Sequence, residues 1–389
     1  MKKTAATRVQ HSGRHLFLMQ FSRYIIAPFI GLIMGYRYKR TKGPLEPGFI
    51  ISNHNSNIDP VLVMMGFTGH AYFVASEHAF RKGFPSKLMS FVFDPIYINK
   101  AQADSYTLKE MFRRIKAGFS ICLFAEGNRS FNGQTGDIVF STAKMVKLSG
   151  AALITYRLEG VYFTTPRWGT SIRRGRCSGG VTSSYSAEEI KNMSVEQIYE
   201  SIVNGISEDA YARQKESPVI FKGKNPAEYI ETILYLCPFC KKPGTIHSKR
   251  DEFFCSCGMK GKYTATAFLE GEKLPFTTIT EWDKWQKEEL SALIEKAGDG
   301  EICTDEDQAL FKVSAATGEE AAGTGPMSIS RKEFRCAGMV FLMEDIKQFA
   351  IVGMMTLTFA LKDGRQYEVR SAVPRSAVKY LDIYKMIKE

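Results

Sequence analysis

Over the first 215 residues, short apolar runs alternate with amphipathic stretches. The run 49–51, bounded by Gly43, Pro44, Pro47 and Gly48, predicts a buried strand, and similar runs predict strands over 71–75, 95–98, 120–125 and 151–156. Between them, 60–67 and 105–116 have helical spacing, the second with Leu108, Met111, Phe112 and Ile115 on one stripe. A long helix is expected over 194–214, opened by Ser194 with Gln197 three residues on. Strands alternating with helices imply an α/β fold, a mostly parallel sheet flanked by helices.

Beyond a polar stretch at 215–226, read as a linker, the pattern changes to short strands at 309–313, 339–343, 355–361 and 367–369. Asp363-Gly364 marks a hairpin, 314–326 has the composition of a flexible loop, and 376–387 predicts a closing helix. The expected organisation is a segment 1–45, an α/β domain 46–218, a cysteine-rich unit 228–266 and a β-rich domain 267–389 ending in a helix. The last looks similar to small barrels of the pleckstrin-homology or GRAM type.

The N-terminal segment stands apart. Residues 24–36 carry no charge, preceded by the apolar stretch 16–21, with Arg23 and Pro28 as interruptions. That is short for a spanning helix, so a membrane-associated helix lying in the interface is expected, with a buried core helix or a signal peptide as the other readings. Charge supports the first. Nine of the 52 Lys and Arg residues, and none of the 41 Asp and Glu, fall within 1–45, so the rest of the 389-residue chain is nearly balanced despite a net charge of +11. A nucleic-acid binder spreads cationic charge over a folded domain, and this chain does not.

Two loops carry candidate chemistry. After the first strand comes Asn53-His54-Asn55-Ser56-Asn57-Ile58-Asp59, in which Asp59 can hold one nitrogen of His54 and leave the other to take a proton as a general base. Asp59 before Pro60 is equally a helix cap. After a later strand comes Glu126-Gly127-Asn128-Arg129-Ser130. Arg129 offers a planar fork for phosphate oxygens, Gly127 allows close backbone approach, and Glu126 can orient the Arg or bind a hydroxyl. A turn with a surface ion pair is the alternative.

Together these loops resemble the glycerolipid acyltransferase family, which includes the 1-acylglycerol-3-phosphate acyltransferases. Further blocks at Asp94-Pro95-Ile96-Tyr97-Ile98-Asn99-Lys100 and at 158–166, ending in Pro166, follow the family's order, and the resemblance covers roughly 15–215. It implies a lysophospholipid acceptor, acyl-CoA or acyl carrier protein as donor, and an enzyme on the cytoplasmic face of a membrane. In that analogy His54 takes the hydroxyl proton, Asp59 orients His54, Glu126, Gly127, Arg129 and Ser130 bind the glycerol phosphate end, Lys100 adds a phosphate contact and Pro166 shapes the pocket. Asn128 and Lys100 depart from the family's commoner Thr and Arg, so the headgroup is less firmly indicated than the chemistry. Arg157, Arg167, Arg173, Arg174 and Arg176 surround the fourth block as further cations.

Of eight cysteines, Cys237, Cys240, Cys255 and Cys257 form two short turns, a spacing that suits one structural zinc ion. Paired disulfides are the alternative, and His247 is a possible substitute ligand. This zinc-ribbon resemblance supplies a rival function, a nucleic-acid or protein binding module with a non-catalytic acyltransferase-like domain. A non-catalytic lipid tether is a third.

Overall fold

The computed structural model describes residues 13–41, 46–76, 94–98, 105–314 and 318–388. Lys100 lies outside them, so the expected phosphate contact there is not placed. The first sheet has seven strands: β1 (Tyr36–Tyr38), β2 (Gly48–Ser52), β3 (Ala71–Ser76), β4 (Ile96–Ile98), β5 (Ser120–Phe124), β6 (Ala152–Glu159) and β7 (Cys177–Tyr185). Their order is β1-β7-β6-β2-β5-β3-β4, and every pairing is parallel except β6 with β7. β2 is central and its residues are all buried. Alternate residues feed opposite faces. Ile50, Cys122 and Ile154 pack beneath helices Ala27–Met34 and Asp59–Met65, while Phe49, Ile121 and Leu153 pack with helices Ser105–Lys116, Ser141–Ser149 and Val195–Ile206.

β7 escaped the apolar pattern because it is made of small and hydroxyl residues. Thr155 Oγ1 bonds Thr182 Oγ1 at 2.7 Å and Ser183 Oγ at 2.5 Å across the β6–β7 pair. Gly179 leaves room for two buried tyrosines, since a Cβ there would sit 2.0 Å from the Tyr36 hydroxyl. The strand β1 also shows that the α/β sheet begins before residue 46. The expected helix over 194–214 breaks at Ser207–Asp209, where Asp209 caps a second helix, Ala210–Glu216.

Helical backbone runs without a break from Gly13 to Met34, with a π turn at Ser22–Ile26 just ahead of Pro28. Arg23 does not interrupt it. Its guanidinium turns inward and donates to the carbonyls of Thr68 at 2.7 Å and Gly69 at 2.6 Å. The opposite face exposes Phe17, Phe21, Tyr24, Ile25, Ile26, Phe29, Leu32 and Ile33. By length and composition, Phe17–Met34 is a candidate span, with one third of it buried against the protein.

Residues 215–226 are no free linker: Phe221 is buried, its N–H donates to Ala265, and Lys222 exchanges backbone bonds with Arg174. A four-stranded sheet follows, β8 (Ile246–Lys249), β9 (Glu252–Cys255), β10 (Lys260–Tyr263) and β11 (Leu269–Glu270), so this unit runs past residue 266. Helix Ile279–Ala297 leads to a second seven-stranded sheet, wholly antiparallel, of β12 (Cys303–Ser314), β13 (Gly318–Ile329), β14 (Glu333–Cys336), β15 (Met339–Leu342), β16 (Ile346–Val352), β17 (Thr356–Leu361) and β18 (Gln366–Ser371). Its order is β15-β14-β13-β12-β18-β17-β16, and helix Val378–Lys388 ends the chain.

The stretch expected as a loop at 314–326 is largely β13. Pairing along β12 satisfies its backbone although no side chain of 318–326 is buried; burial begins only at Met327. Phe334 meets the edges of Phe349, Phe359 and Tyr380 at the centre of this sheet's core. One continuous hydrophobic cluster joins Tyr162, Phe163 and Trp168 of the α/β part to the small sheet and to the C-terminal sheet. The expected units therefore pack as neighbours on a shared core.

Candidate active site

The carboxyl ends of β2, β5 and β6 place the two sequence-predicted loops side by side. Asn53, the first residue after β2, makes a reciprocal pair with the main chain of β6, donating to Leu158 O at 2.8 Å and accepting from Leu158 N at 2.8 Å. That side-chain amide continues the sheet beyond its last strand residue and fixes where His54 starts. The His54 ring stacks on Phe124 at 4.4 Å between centroids, and its Nδ1 lies 2.7 Å from Asp59 Oδ2.

Asp59 is fully buried, which is costly for a carboxylate unless its lone pairs are occupied. They are. Asn55 N and Ser56 N donate to Oδ2 at 2.6 and 2.8 Å, and Ser56 Oγ donates to Oδ1. With every nearby group donating, the carboxylate holds the tautomer in which Nδ1 carries the proton and Nε2 is the basic nitrogen. The imidazole remains 22% exposed, so a substrate can reach it.

Glu126 plays a different part from the one its sequence position suggested. Its Oε1 accepts from His54 N at 2.6 Å and its Oε2 from Gly136 N at 2.6 Å, so it ties three backbone segments together and forms no ion pair with Arg129 among the described residues. Burial pushes its carboxyl up to about 8, against those two hydrogen bonds, which favour the anion. Ser130 is equally architectural: its N donates to His54 O at 2.7 Å and its Oγ joins Gly133 N and Gln134 O. Gly127 has φ +66°, a left-handed conformation that favours glycine, and no atom of the described residues lies near its missing Cβ.

Arg129 is the loop's chemical end. It has no carboxylate within ion-pair distance among the described residues, and burial holds its pKa below the usual guanidinium value, against the opposing pull of Asp59. Behind it Arg167, 3% exposed, stacks on Phe131 at 4.4 Å and donates to Arg129 O at 3.4 Å. Its Nε is buried without a partner, and burial together with the Arg129 charge pushes it down to about 9. Neither guanidinium pairs with a carboxylate among the described residues, which leaves positive charge that an anion would stabilise. Pro166 is buried, opening the turn closed by Gly169 N that carries Arg167.

A residue match follows this geometry: residues 36–159 fit the family model described as Acyltransferase. That match spans about a third of the chain. No curated protein matches the chain. Among solved structures it is similar to the 1-acyl-sn-glycerophosphate (LPA) acyltransferase PlsC from Thermotoga maritima, at 16% identity and a TM-score of 0.43, over 52% of this chain and 80% of that one.

Glu208 joins the same end of the sheet although no sequence pattern marked it. It is buried, accepts from Gly160 N at 2.8 Å and Arg213 Nε at 3.1 Å, and lies 3.5 Å from Asn53 Nδ2. Burial pushes it up to about 7. Being over 150 residues from Asn53 in sequence, it has no local signature.

The cysteine cluster lies in the small sheet. Sγ atoms of Cys237, Cys240, Cys255 and Cys257 all fall within 4.8 Å of one another, with 3.6 Å between Cys237 and Cys257 and 3.8 Å between Cys240 and Cys255. A tetrahedral ion at about 2.3 Å from each sulfur needs S–S separations of about 3.8 Å, whereas a disulfide needs about 2.05 Å. The four thiols therefore fit a metal ion. Burial pushes the Cys237 thiol up, against hydrogen bonds from the Cys240 and Phe239 N–H groups, whereas at Cys255 burial is outweighed by hydrogen bonds, that of Cys257 N–H among them, which bring it down to about 7. His247 stands aside against Phe254.

Replacing Asp59 by Asn turns an acceptor into a donor against three donors. Asp59→Asn is expected to lower kcat by about 10²- to 10⁴-fold while circular dichroism stays that of the wild type. Glu126 gives a pH signature. Because its folded pKa exceeds the unfolded value of about 4.5, it binds the proton more tightly when folded, and its contribution is most favourable below pH 4.5 and is lost as pH rises through about 8. Urea midpoints of Glu126→Gln should accordingly improve relative to wild type between pH 5 and 9.

Proposed function

We propose that the protein transfers a fatty acyl group from acyl-CoA or acyl carrier protein to the free hydroxyl of a lysophospholipid, 1-acylglycerol 3-phosphate above others, in phospholipid biosynthesis. The observation that carries this reading is the pairing of a carboxylate-steadied imidazole with an uncompensated Arg129 at one end of the same sheet. The acceptor hydroxyl gives its proton to His54 Nε2 as its oxygen attacks the thioester carbonyl. The C–S bond breaks, and the proton leaves with the thiol. Arg129 and Arg167 favour a dianionic phosphate on the acceptor. No covalent enzyme intermediate is required.

The apolar face of Gly13–Met34, with basic residues around it, suits monotopic attachment to the cytoplasmic face of a membrane. A lysophospholipid resides there, so the base and its acceptor share one surface. The four cysteines hold a structural zinc ion that closes the small sheet. With four protein ligands it has no open coordination position for the reaction.

Purified protein incubated with liposomal lysolipids and both donor types, with products weighed by mass spectrometry, should form diacylated phosphatidate from 1-acylglycerol 3-phosphate. His54→Ala should form none while still folding. Full turnover by that variant rejects the assigned base, and liposome binding without any turnover in wild type favours a lipid tether. Metal analysis should return one zinc per chain, and Cys240→Ser should release it.

A further inference from the structure

The C-terminal half has no role in the chemistry so far, yet it reaches the acceptor-binding loop. Three residues beyond Arg129, Asn132 Nδ2 donates to Asp283 Oδ2 at 2.8 Å, and Thr280 Oγ1 donates to Asn132 O at 2.7 Å. Both partners lie in the first turns of helix Ile279–Ala297. Asp283 is 1% exposed and is a fully occupied carboxylate: Lys287 Nζ donates to its Oδ2 at 2.8 Å and Gln286 Nε2 to its Oδ1 at 2.9 Å. The helix itself is anchored to the first cysteine turn. Trp282 Nε1 donates to Leu236 O at 2.9 Å, Gln286 bonds Ile233 O and Tyr235 N, and Lys241 pairs with Glu289 at 2.7 Å.

We infer that Asn132 and Asp283 are positioning residues for the acceptor site: the helix after the cysteine-rich sheet holds the loop that presents Arg129, and the C-terminal half thereby sets acceptor affinity. This rests on the acyl-transfer reading above. The physical reason is that Arg129 makes no ion pair of its own among the described residues, so its placement depends on the backbone that carries it. Beyond Arg129 that backbone is tied first to His54 through Ser130 N and then to helix Ile279–Ala297 through Asn132. Releasing the second tether lets the loop sample positions away from the phosphate, which lowers binding without touching the base.

Asn132→Asp tests this with little collateral change. Its Oδ1 now accepts from Gln134 N at 3.0 Å, a bond that a carboxylate retains, while the donor to Asp283 is replaced by a like charge. In the full-length protein the acceptor KM should rise about tenfold, with kcat and donor KM within threefold of wild type. Adding Asp283→Asn removes the like charge, leaving the carboxylate at 132 as the one available to Lys287 Nζ, and should bring the acceptor KM back toward wild type. Thr280→Val, which introduces no charge, should give a smaller rise in the same constant.

Amide hydrogen exchange over 130–136 provides a readout independent of turnover, and it should accelerate in Asn132→Asp and recover in the double variant. An unchanged acceptor KM, equal losses in kcat, or failure of Asp283→Asn to rescue would overturn the inference. So would unchanged exchange over 130–136. If wild type shows no acyl transfer, the proposed function fails, and the exchange experiment still decides whether the helix holds the loop.

Discussion

A buried carboxylate that accepts from four donors is the constraint on which the site is built. Asp59 lies inside the protein at the start of a helix, where an unpartnered charge would cost several kcal/mol. Two backbone N–H groups, one hydroxyl and the His54 ring occupy it. Any reorganisation of the 53–59 loop would strand that charge, so the loop has essentially one conformation and the imidazole one orientation. The helix-cap reading of Asp59 does not hold: Asp59 stands inside the first turn, Ile58 takes the cap position without a side-chain bond, and the carboxylate reaches back to Asn55, Ser56 and the imidazole.

The cations follow the opposite rule. Arg23 finds two carbonyls and Arg213 two carboxylates, but Arg129 and Arg167 find no carboxylate among the described residues. Desolvated positive charge without compensation is unfavourable in the empty protein and favourable once an anion enters. Lack of a carboxylate does not by itself mark a site, since buried Arg173 has none either among the described residues. Arg173, which sits over Trp168 and Tyr263, belongs to the shared core and not to the loop.

The C-terminal half extends this logic beyond the α/β part. The long helix beside the cysteine-bearing sheet contacts the 131–133 turn, in a loop that contains glycine and little apolar burial. The continuous cluster from Trp168 to the last helix makes the arrangement a packed one and not a hinge.

Local chemistry made much of this legible from the chain alone. The apolar runs gave five of the first sheet's strands, the spacing of His54 and Asp59 gave their pairing, and four cysteines on two short turns gave a cluster that the structure draws within reach of one ion. Each of these is decided by residues within a few positions of one another. Elements lacking an apolar signal were invisible: β7 and β13 are small and polar, and their strand character comes from partners that satisfy the backbone. So was every role set by distant partners. The carboxylate of Glu126 serves backbone N–H groups instead of Arg129, Glu208 reaches Asn53 across more than 150 residues, and Asp283 reaches Asn132 across a comparable distance. Sequence determines which groups need a partner, whereas tertiary packing alone decides which partner is near enough to answer.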